Sequence, residues 1–364
     1  MGAGLWILLW LSTRAQAPLL GLALLFAAAQ LLLGSYYPDM DMPAESAVLL
    51  VLISTLLTVA IVLVATLFVQ MAMTERPKHP TLHLLGMIWR FLRDARTTAL
   101  GLPVFASLVV FIYAFSNVKG NIPVLQPFAW DSTLDHLDMV LHFGRRPWEW
   151  LQPLLGHWPI TFVLNVLYNL WFVVMFSVWL HYAFRTAPGA PRTRFFFAFM
   201  LLWMVGGGLC AVLFSSAGPC FYGPGYLGLT PDPYAALMTY LHRANDIVPI
   251  WAVSTQEELW RLHAEGSAEA SVSAMPSMHN GTTLLFALAS AGWPAWIRRV
   301  LWAYVGVIFV GSVHLAYHYA VDAYAGWALA LAMWWAAGRL ARRWETTAAA
   351  TRFRNAFAQS SASL

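Results

Sequence analysis

Apolar runs long enough to cross a lipid bilayer follow one another through most of this chain, and that succession leaves it few folds. A bilayer core about 30 Å thick needs about 20 apolar residues in a helix. Eight stretches approach that requirement: Pro18 to Gly34, Ala47 to Met73, Thr98 to Phe115, Ile160 to Phe184, Phe195 to Ser216, Thr282 to Trp296, Val300 to Val313 and Ala320 to Ala341. Asp, Glu, Lys and Arg make up only 10% of the 364 residues, against roughly 25% in soluble domains, and 60% of the chain is hydrophobic. A soluble globular protein is excluded. The expected fold is an all-α polytopic membrane protein with about eight transmembrane helices. The net charge of +4 gives no support to nucleic-acid binding, because in a membrane protein the placement of charge matters more than its sum. Cys210 and Cys220 form neither a disulfide framework nor a zinc knuckle.

Between Val300 and Ala341 nearly every residue is apolar. A continuous helix of that length would be about twice the bilayer thickness at about 1.5 Å per residue. A turn is required, and the polar cluster His314, Tyr317, His318, Tyr319 and Asp322 is where it belongs. Leu19 to Phe26, followed by three alanines, also has the form of a signal peptide's apolar core and cleavage site, although the run continues through Leu33 and favours a retained anchor. Leu82 to Arg96 mixes apolar residues with three arginines, as in a helix lying in the membrane interface. The Ala-, Ser- and Thr-rich tail from Thr346 to Leu364 is expected to be disordered.

Charge sets the orientation. With the N-terminus cytoplasmic, sixteen of the 21 Lys and Arg fall inside, and only Lys119, Arg145, Arg146, Arg243 and Arg261 fall outside. Both termini are then cytoplasmic. Two outer segments break the apolar pattern. Asn117 to Trp158 carries Asp131, Asp135 and Asp138, which read as the polar face of a surface helix; Ala217 to Pro276 opens with Gly218-Pro219-Cys220-Phe221-Tyr222, and Asp232-Pro233 reads as a helix start before Tyr234 to Asn245.

The residues able to do chemistry converge on the same face. Pro276-Ser277-Met278-His279 stands where the long outer loop enters the sixth span, and His318-Tyr319-Ala320-Val321-Asp322 follows two crossings later. His279 and His318 should therefore meet at similar depth. Asp322, four residues after His318, can accept from one ring nitrogen and leave the other free. Ionisable groups at membrane depth are costly and tend to mark functional sites. Ser277 reads as a helix cap, His314 either lines the site or satisfies the turn, and Tyr222, Tyr317 and Tyr319 serve as interfacial anchors or substrate contacts.

The Pro-Ser-Met-His and His-x3-Asp segments resemble the second and third motifs of the type 2 phosphatidic acid phosphatase superfamily, in the variant of inositol phosphorylceramide synthases and related bacterial membrane proteins. Pro127-Phe128-Ala129-Trp130-Asp131 and His142-Phe143-Gly144 resemble the region preceding the core in the bacterial members. The resemblance implies a six-helix catalytic core in which His318 is the nucleophile that forms a phosphohistidine, Asp322 orients it, and His279 protonates the leaving oxygen and later activates the acceptor. It covers roughly Lys119 to Ala341. The phosphatases' first motif, a Lys six residues before Arg-Pro, has no match, and Gly218-Pro219-Cys220-Phe221-Tyr222 stands in its place. The Ser-Arg pair preceding the third motif reads Gly311-Ser312. A phosphodiester carries less charge than a monoester and needs fewer cations, so phosphoinositol-type transfer to a lipid hydroxyl fits better than monoester hydrolysis. The helix start near Ser277 and the outer Arg145 or Arg146 are expected to compensate.

These readings divide the chain into N-terminal helices with an interfacial helix (1–98), a catalytic membrane domain (99–342) and a tail (343–364). They place Gly218, Pro219, Tyr222, Ser277, His314, Arg145 and Arg146 against substrate. They require no metal or other cofactor, take membrane lipids as the partners, and put the protein in a bacterial inner membrane with the site on the outer face. Alternative readings are a lipid phosphate phosphatase, a zinc-dependent membrane amidase using the His314/His318 spacing, and a transporter using His and Asp as a proton relay.

Overall fold

The computed structural model describes residues 2–40, 45–267, 269–270 and 272–362, and these contain helices and no strand. Among the described residues, five helices are long and apolar enough to cross a membrane: α2 (Ala17–Tyr36), α5 (Ala95–Gly120), α8 (Trp158–Arg185), α9 (Ala190–Leu213) and α13 (Ala295–His314). The protein is an all-α polytopic membrane protein. Around these lie α1 (Gly2–Ala15), α3 (Glu45–Gln70), α4 (Pro80–Arg93), α6 (Asp131–Leu141), α7 (Pro147–Leu155), α10 (Ala235–Ile247), α11 (Trp251–Ala264), α12 (Met278–Ala289), α14 (Ala320–Trp344) and α15 (Ala348–Ala362).

Several expectations shift. The sixth apolar run becomes α12, only 12 residues long and so about 18 Å, because a turn at Ser290–Gly292 and then Pro294 end it early. The eighth becomes α14, whose hydropathy is diluted by Asp322, Arg339, Arg342 and Arg343. The interfacial helix stops at Arg93, since Asp94 takes the backbone N–H of Arg96 and Thr97 and starts α5. The third run extends to Gly120, well beyond Phe115. The tail is helical over α15: alanine favours helix, Phe353 is buried, Arg96 stacks on Phe357 and Arg354 binds Glu345. The end of the tail, residues 363–364, lies outside the described residues.

The required turn is present: α13 ends at His314, and α14 begins at Ala320. Tyr317 and His318 both donate their N–H to the Ser312 carbonyl, and Ala316 takes a φ of 58°. The α12 and α14 helices approach through glycine. A Cβ on Gly326 would lie 2.5 Å from the Ser277 carbonyl, and one on Gly281 would lie 2.8 Å from the Gly326 carbonyl. Small residues let membrane helices pack backbone to backbone. Here they bring the helix of His279 against the helix of Asp322, a contact sealed by the Ser277 N–H donating to the Asp322 carbonyl at 2.9 Å.

The three aspartates of α6 do not face water. Asp131 accepts from the N–H of Ala217 and Gly218 and from the Tyr319 hydroxyl; Asp138 accepts from the N–H of Ala320 and Val321 at 2.8 and 2.9 Å. Asp135 binds Arg146 through two hydrogen bonds and accepts from Tyr234. All three are buried. The surface-helix reading fails because the outer loops cover α6, and its carboxylates satisfy helix-start and loop amides that would otherwise be buried unpaired. Replacing Asp138 by Ala orphans two buried donors at roughly 1–3 kcal/mol each; thermal unfolding in detergent should show Asp138→Ala losing stability by about 2–6 kcal/mol, and Asp138→Asn, which keeps one acceptor, losing less.

Candidate active site

Ser277 starts α12: its Oγ accepts from the Asn280 N–H at 3.4 Å and from the Asn280 side chain at 3.0 Å. Asn280 donates also to Ser312 Oγ at 3.1 Å, which links α12 to the end of α13. The cap fixes where His279 emerges. On the other side of the site, Asp322 Oδ2 accepts the Tyr319 N–H at 3.0 Å and stands 3.3 Å from His318 Nδ1. An oxygen already accepting from an amide requires the imidazole to donate from Nδ1. The other ring nitrogen, Nε2, is then an unprotonated lone pair.

The two imidazoles face each other across one cavity with ring centroids 6.4 Å apart. The cavity, about 220 Å³, is lined by His279, His318, Lys119, Tyr168, Tyr317 and Cys220 among others. His279 lies against Trp171 at 4.2 Å and stacks on Tyr168 at 4.8 Å, and Tyr168 in turn stacks on Tyr317 at 5.2 Å. This aromatic stack holds the His279 ring by packing, whereas His318 is held by a hydrogen bond.

Burial pulls the His318 imidazole down to about 3 from its ordinary 6.5, with the Lys119 charge acting the same way and the Ala274 carbonyl opposing it. An ionised carboxylate beside the ring, such as Asp322, would raise that value. Enclosure outweighs it, and His318 is neutral across the physiological range. Burial likewise pushes the Cys220 thiol upward.

The other expected contacts lie elsewhere. Gly218, at a φ of +106°, packs so closely that a Cβ would meet the Tyr317 carbonyl at 2.8 Å; it and Pro219 brace the turn rather than line the cavity. Tyr222 is buried beside Tyr234. His314 donates to or accepts from Thr161 at 2.9 Å through Nε2 and is fully buried behind the turn. Arg146 is committed to Asp135, and Arg145 is exposed over the Trp150 ring. Ser277 caps its helix from a fully buried position. The His314/His318 zinc reading loses its geometry because the helix ends between them, and no group of three or more His, Cys, Asp or Glu among the described residues is placed to hold a metal ion.

Lys119, Tyr168 and Trp171 are the residues that sequence reasoning missed at this site. Lys119 is the only Lys or Arg among the described residues lining the cavity. Its signal was present: a lysine at the last turn of an otherwise apolar span, counted only as an outer charge. Tyr168 and Trp171 carried no signal within a run of apolar residues.

With a folded-state pKa near 3 and an unfolded value of 6.5, His318 binds its proton more readily in the unfolded chain. Its contribution to stability is present above 6.5 and is lost as pH falls from 6.5 toward 3. Thermal unfolding in detergent across that window should show wild type losing stability on acidification more steeply than His318→Ala.

A family model described as the PAP2 superfamily matches residues 132–336. No curated protein and no solved structure matches the chain. The match includes His279, His318 and Asp322 and begins after Lys119. Spanning more than half of the 364 residues, it shows the family: this protein belongs to the type 2 phosphatidic acid phosphatase (PAP2) superfamily.

Proposed function

We propose that the protein transfers the phosphoryl-linked headgroup of a membrane phospholipid, of the phosphoinositol type, to a lipid hydroxyl through a phosphohistidine on His318. Membership of the PAP2 superfamily supports a phosphatase-type enzyme with lipid phosphatase or phosphotransferase activity. The observation carrying the finer reading is the pair of imidazoles facing each other over one cavity, one of them held at Nδ1 by a buried carboxylate.

In the first step the Nε2 lone pair of His318 attacks phosphorus, and a P–N bond forms as the P–O bond to the leaving alkoxide breaks. His279, entering the step as the imidazolium, delivers its proton to that oxygen and is left neutral. In the second step the acceptor hydroxyl attacks phosphorus, His279 takes its proton back, and the P–N bond breaks to release His318. Asp322 keeps the Nδ1 proton in place and balances the charge that develops on the imidazole. The separation of 6.4 Å between ring centroids accommodates a phosphoryl group between nucleophile and acid.

A diester substrate is supported by what surrounds phosphorus. Arg145 and Arg146 are engaged elsewhere, the third motif lacks its arginine at Gly311-Ser312, and no cluster of arginines among the described residues faces the cavity. A dianionic monoester would meet too little positive charge there. The outer-face placement of the site, in a bacterial inner membrane, is supported by the basic residues concentrated in the opposite loops. Hydrolysis is the same chemistry with water as acceptor, and the acceptor experiment below separates the two.

Purified protein incubated with labelled phosphatidylinositol, with and without ceramide or diacylglycerol, should release headgroup-transfer product only when the lipid alcohol is present. His318→Ala should lower the rate by about 10³-fold or more and Asp322→Asn by a smaller factor, as for other groups acting as one unit. Wild-type turnover by His318→Ala would remove the nucleophile assignment, and chelators should leave the rate unchanged.

The pH profile gives a second check. A neutral His318 is present at every pH above about 3, so kcat/KM should show no acid limb belonging to His318 between pH 5 and 7. A limb near 6.5 in wild type that disappears in a variant retaining activity through another nucleophile would overturn the buried-imidazole account.

A further inference from the structure

A second cavity, about 500 Å³, meets the first. The two share Lys119, Phe172, Met278 and His279 as lining residues. From that common wall the second runs along α5 past Phe115 to Phe111 and Ile112, so it descends about 12 Å toward the middle of the bilayer at about 1.5 Å per residue. Its other walls are Trp171, Phe176 and Trp179 of α8 and Phe199 and Trp203 of α9. Among the described residues lining it, Lys119 and His279 are the only ionisable ones, and both stand at its upper end.

Lys119 is half-buried, and among the described residues neither an acidic group nor a hydrogen-bond acceptor engages its ammonium. A cation at membrane depth without a partner is costly. Its position in the wall common to both cavities marks where an anion belongs.

We propose that Lys119 holds the phosphate of a single-charged lipid phosphodiester at the junction of the two cavities, with the headgroup in the smaller one beside His318 and a hydrocarbon chain in the aromatic one along α5. The inference rests on reading the smaller cavity as a lipid phosphate site, and it names the residue that binds the phosphate and the path of the chain. The ammonium offers one point charge, which matches one phosphodiester anion. The apolar walls contribute chain affinity, and their depth sets a minimum chain length. Lys119 is close enough to His318 for its charge to disfavour a proton on that imidazole, so the same cation keeps the ring unprotonated while it positions phosphorus.

The test measures binding and does not depend on identifying the headgroup. Full-length protein in nanodiscs is titrated with hexadecyl methyl phosphate, a monoanionic diester with one long chain, and with butyl methyl phosphate; the melting temperature gives the apparent affinity. Wild type should bind the hexadecyl ester far more tightly than the butyl ester. Lys119→Ala should weaken the hexadecyl ester by about tenfold or more, as expected for the loss of one charge-assisted hydrogen bond, and Lys119→Arg should restore most of it. Ile112→Trp, which fills the aromatic cavity, should lower the hexadecyl-to-butyl preference by about tenfold. Equal affinity in Lys119→Ala and wild type, absence of binding by wild type, or a chain preference untouched by Ile112→Trp would overturn the proposal. His318→Gln separates the two ideas: Lys119-dependent binding that survives in a turnover-competent His318→Gln variant supports the phosphate site while removing His318 as nucleophile.

Discussion

Two carboxylates on one short helix, α6, hold the turn that carries His318 in place. Asp138 receives the first two amides of α14, and Asp131 receives the amides of Ala217 and Gly218 together with the Tyr319 hydroxyl. A helix beginning inside protein has donors that water cannot reach, and an anion at that end also meets the positive pole of the backbone. His318 and Asp322 flank the three residues, Tyr319, Ala320 and Val321, that these bonds pin. The proposed chemistry therefore depends on residues that touch no substrate: were α14 free to shift by a fraction of a turn, the Asp322 oxygen would leave the His318 ring. The Gly281/Gly326 contact supplies the second constraint, since it sets the distance between the helix of His279 and the helix of Asp322.

The two imidazoles are held by different physics. His318 is oriented by a polar bond, while His279 is oriented by aromatic faces and, among the described residues, no side-chain hydrogen bond is seen to fix it. That difference suits the proposed division of labour. A nucleophile needs one nitrogen aimed at phosphorus throughout, whereas a group that gives a proton to one oxygen and later takes one from another must serve two positions. Packing without a fixed hydrogen-bond partner permits small changes in ring position that a carboxylate clamp would resist.

How much of this was legible in sequence follows from the range of each interaction. Five of the eight expected spans and the turn between α13 and α14 were readable because hydropathy and length are local quantities, and the four-residue spacing of His318 and Asp322 made their pairing readable for the same reason. The fate of α6 was not. Aspartates at positions 131, 135 and 138 look the same on a solvent-facing helix as on one buried beneath loops; Asp131 and Asp138 take backbone amides nearly ninety to more than 180 residues away, and Asp135 takes the side chains of Arg146 and Tyr234. Arg145 and Arg146 show the same limit: a basic pair between apolar spans suggested phosphate, and in the fold Arg146 pairs with Asp135 and Arg145 lies beside Glu149. The tail was misread because composition spoke for disorder while Phe353 and Phe357 supplied an apolar face with somewhere to pack.

The site as a whole trades charge for enclosure. A phosphatase for soluble monoesters must overcome the hydration of a dianion and does so with several cations. A lipid substrate arrives with its hydrocarbon already in the bilayer, so chain burial and the confinement of the headgroup can supply part of the binding that arginines would otherwise provide. An enclosed, weakly charged cavity then has a second consequence. It lowers the proton affinity of His318 without any dedicated base, and the electrostatic influence of a single lysine extends further there than it would in water. Removing cations from the cavity and enclosing it are thus the same adaptation seen from two sides: fewer charges are needed because each one acts in a medium that screens it less.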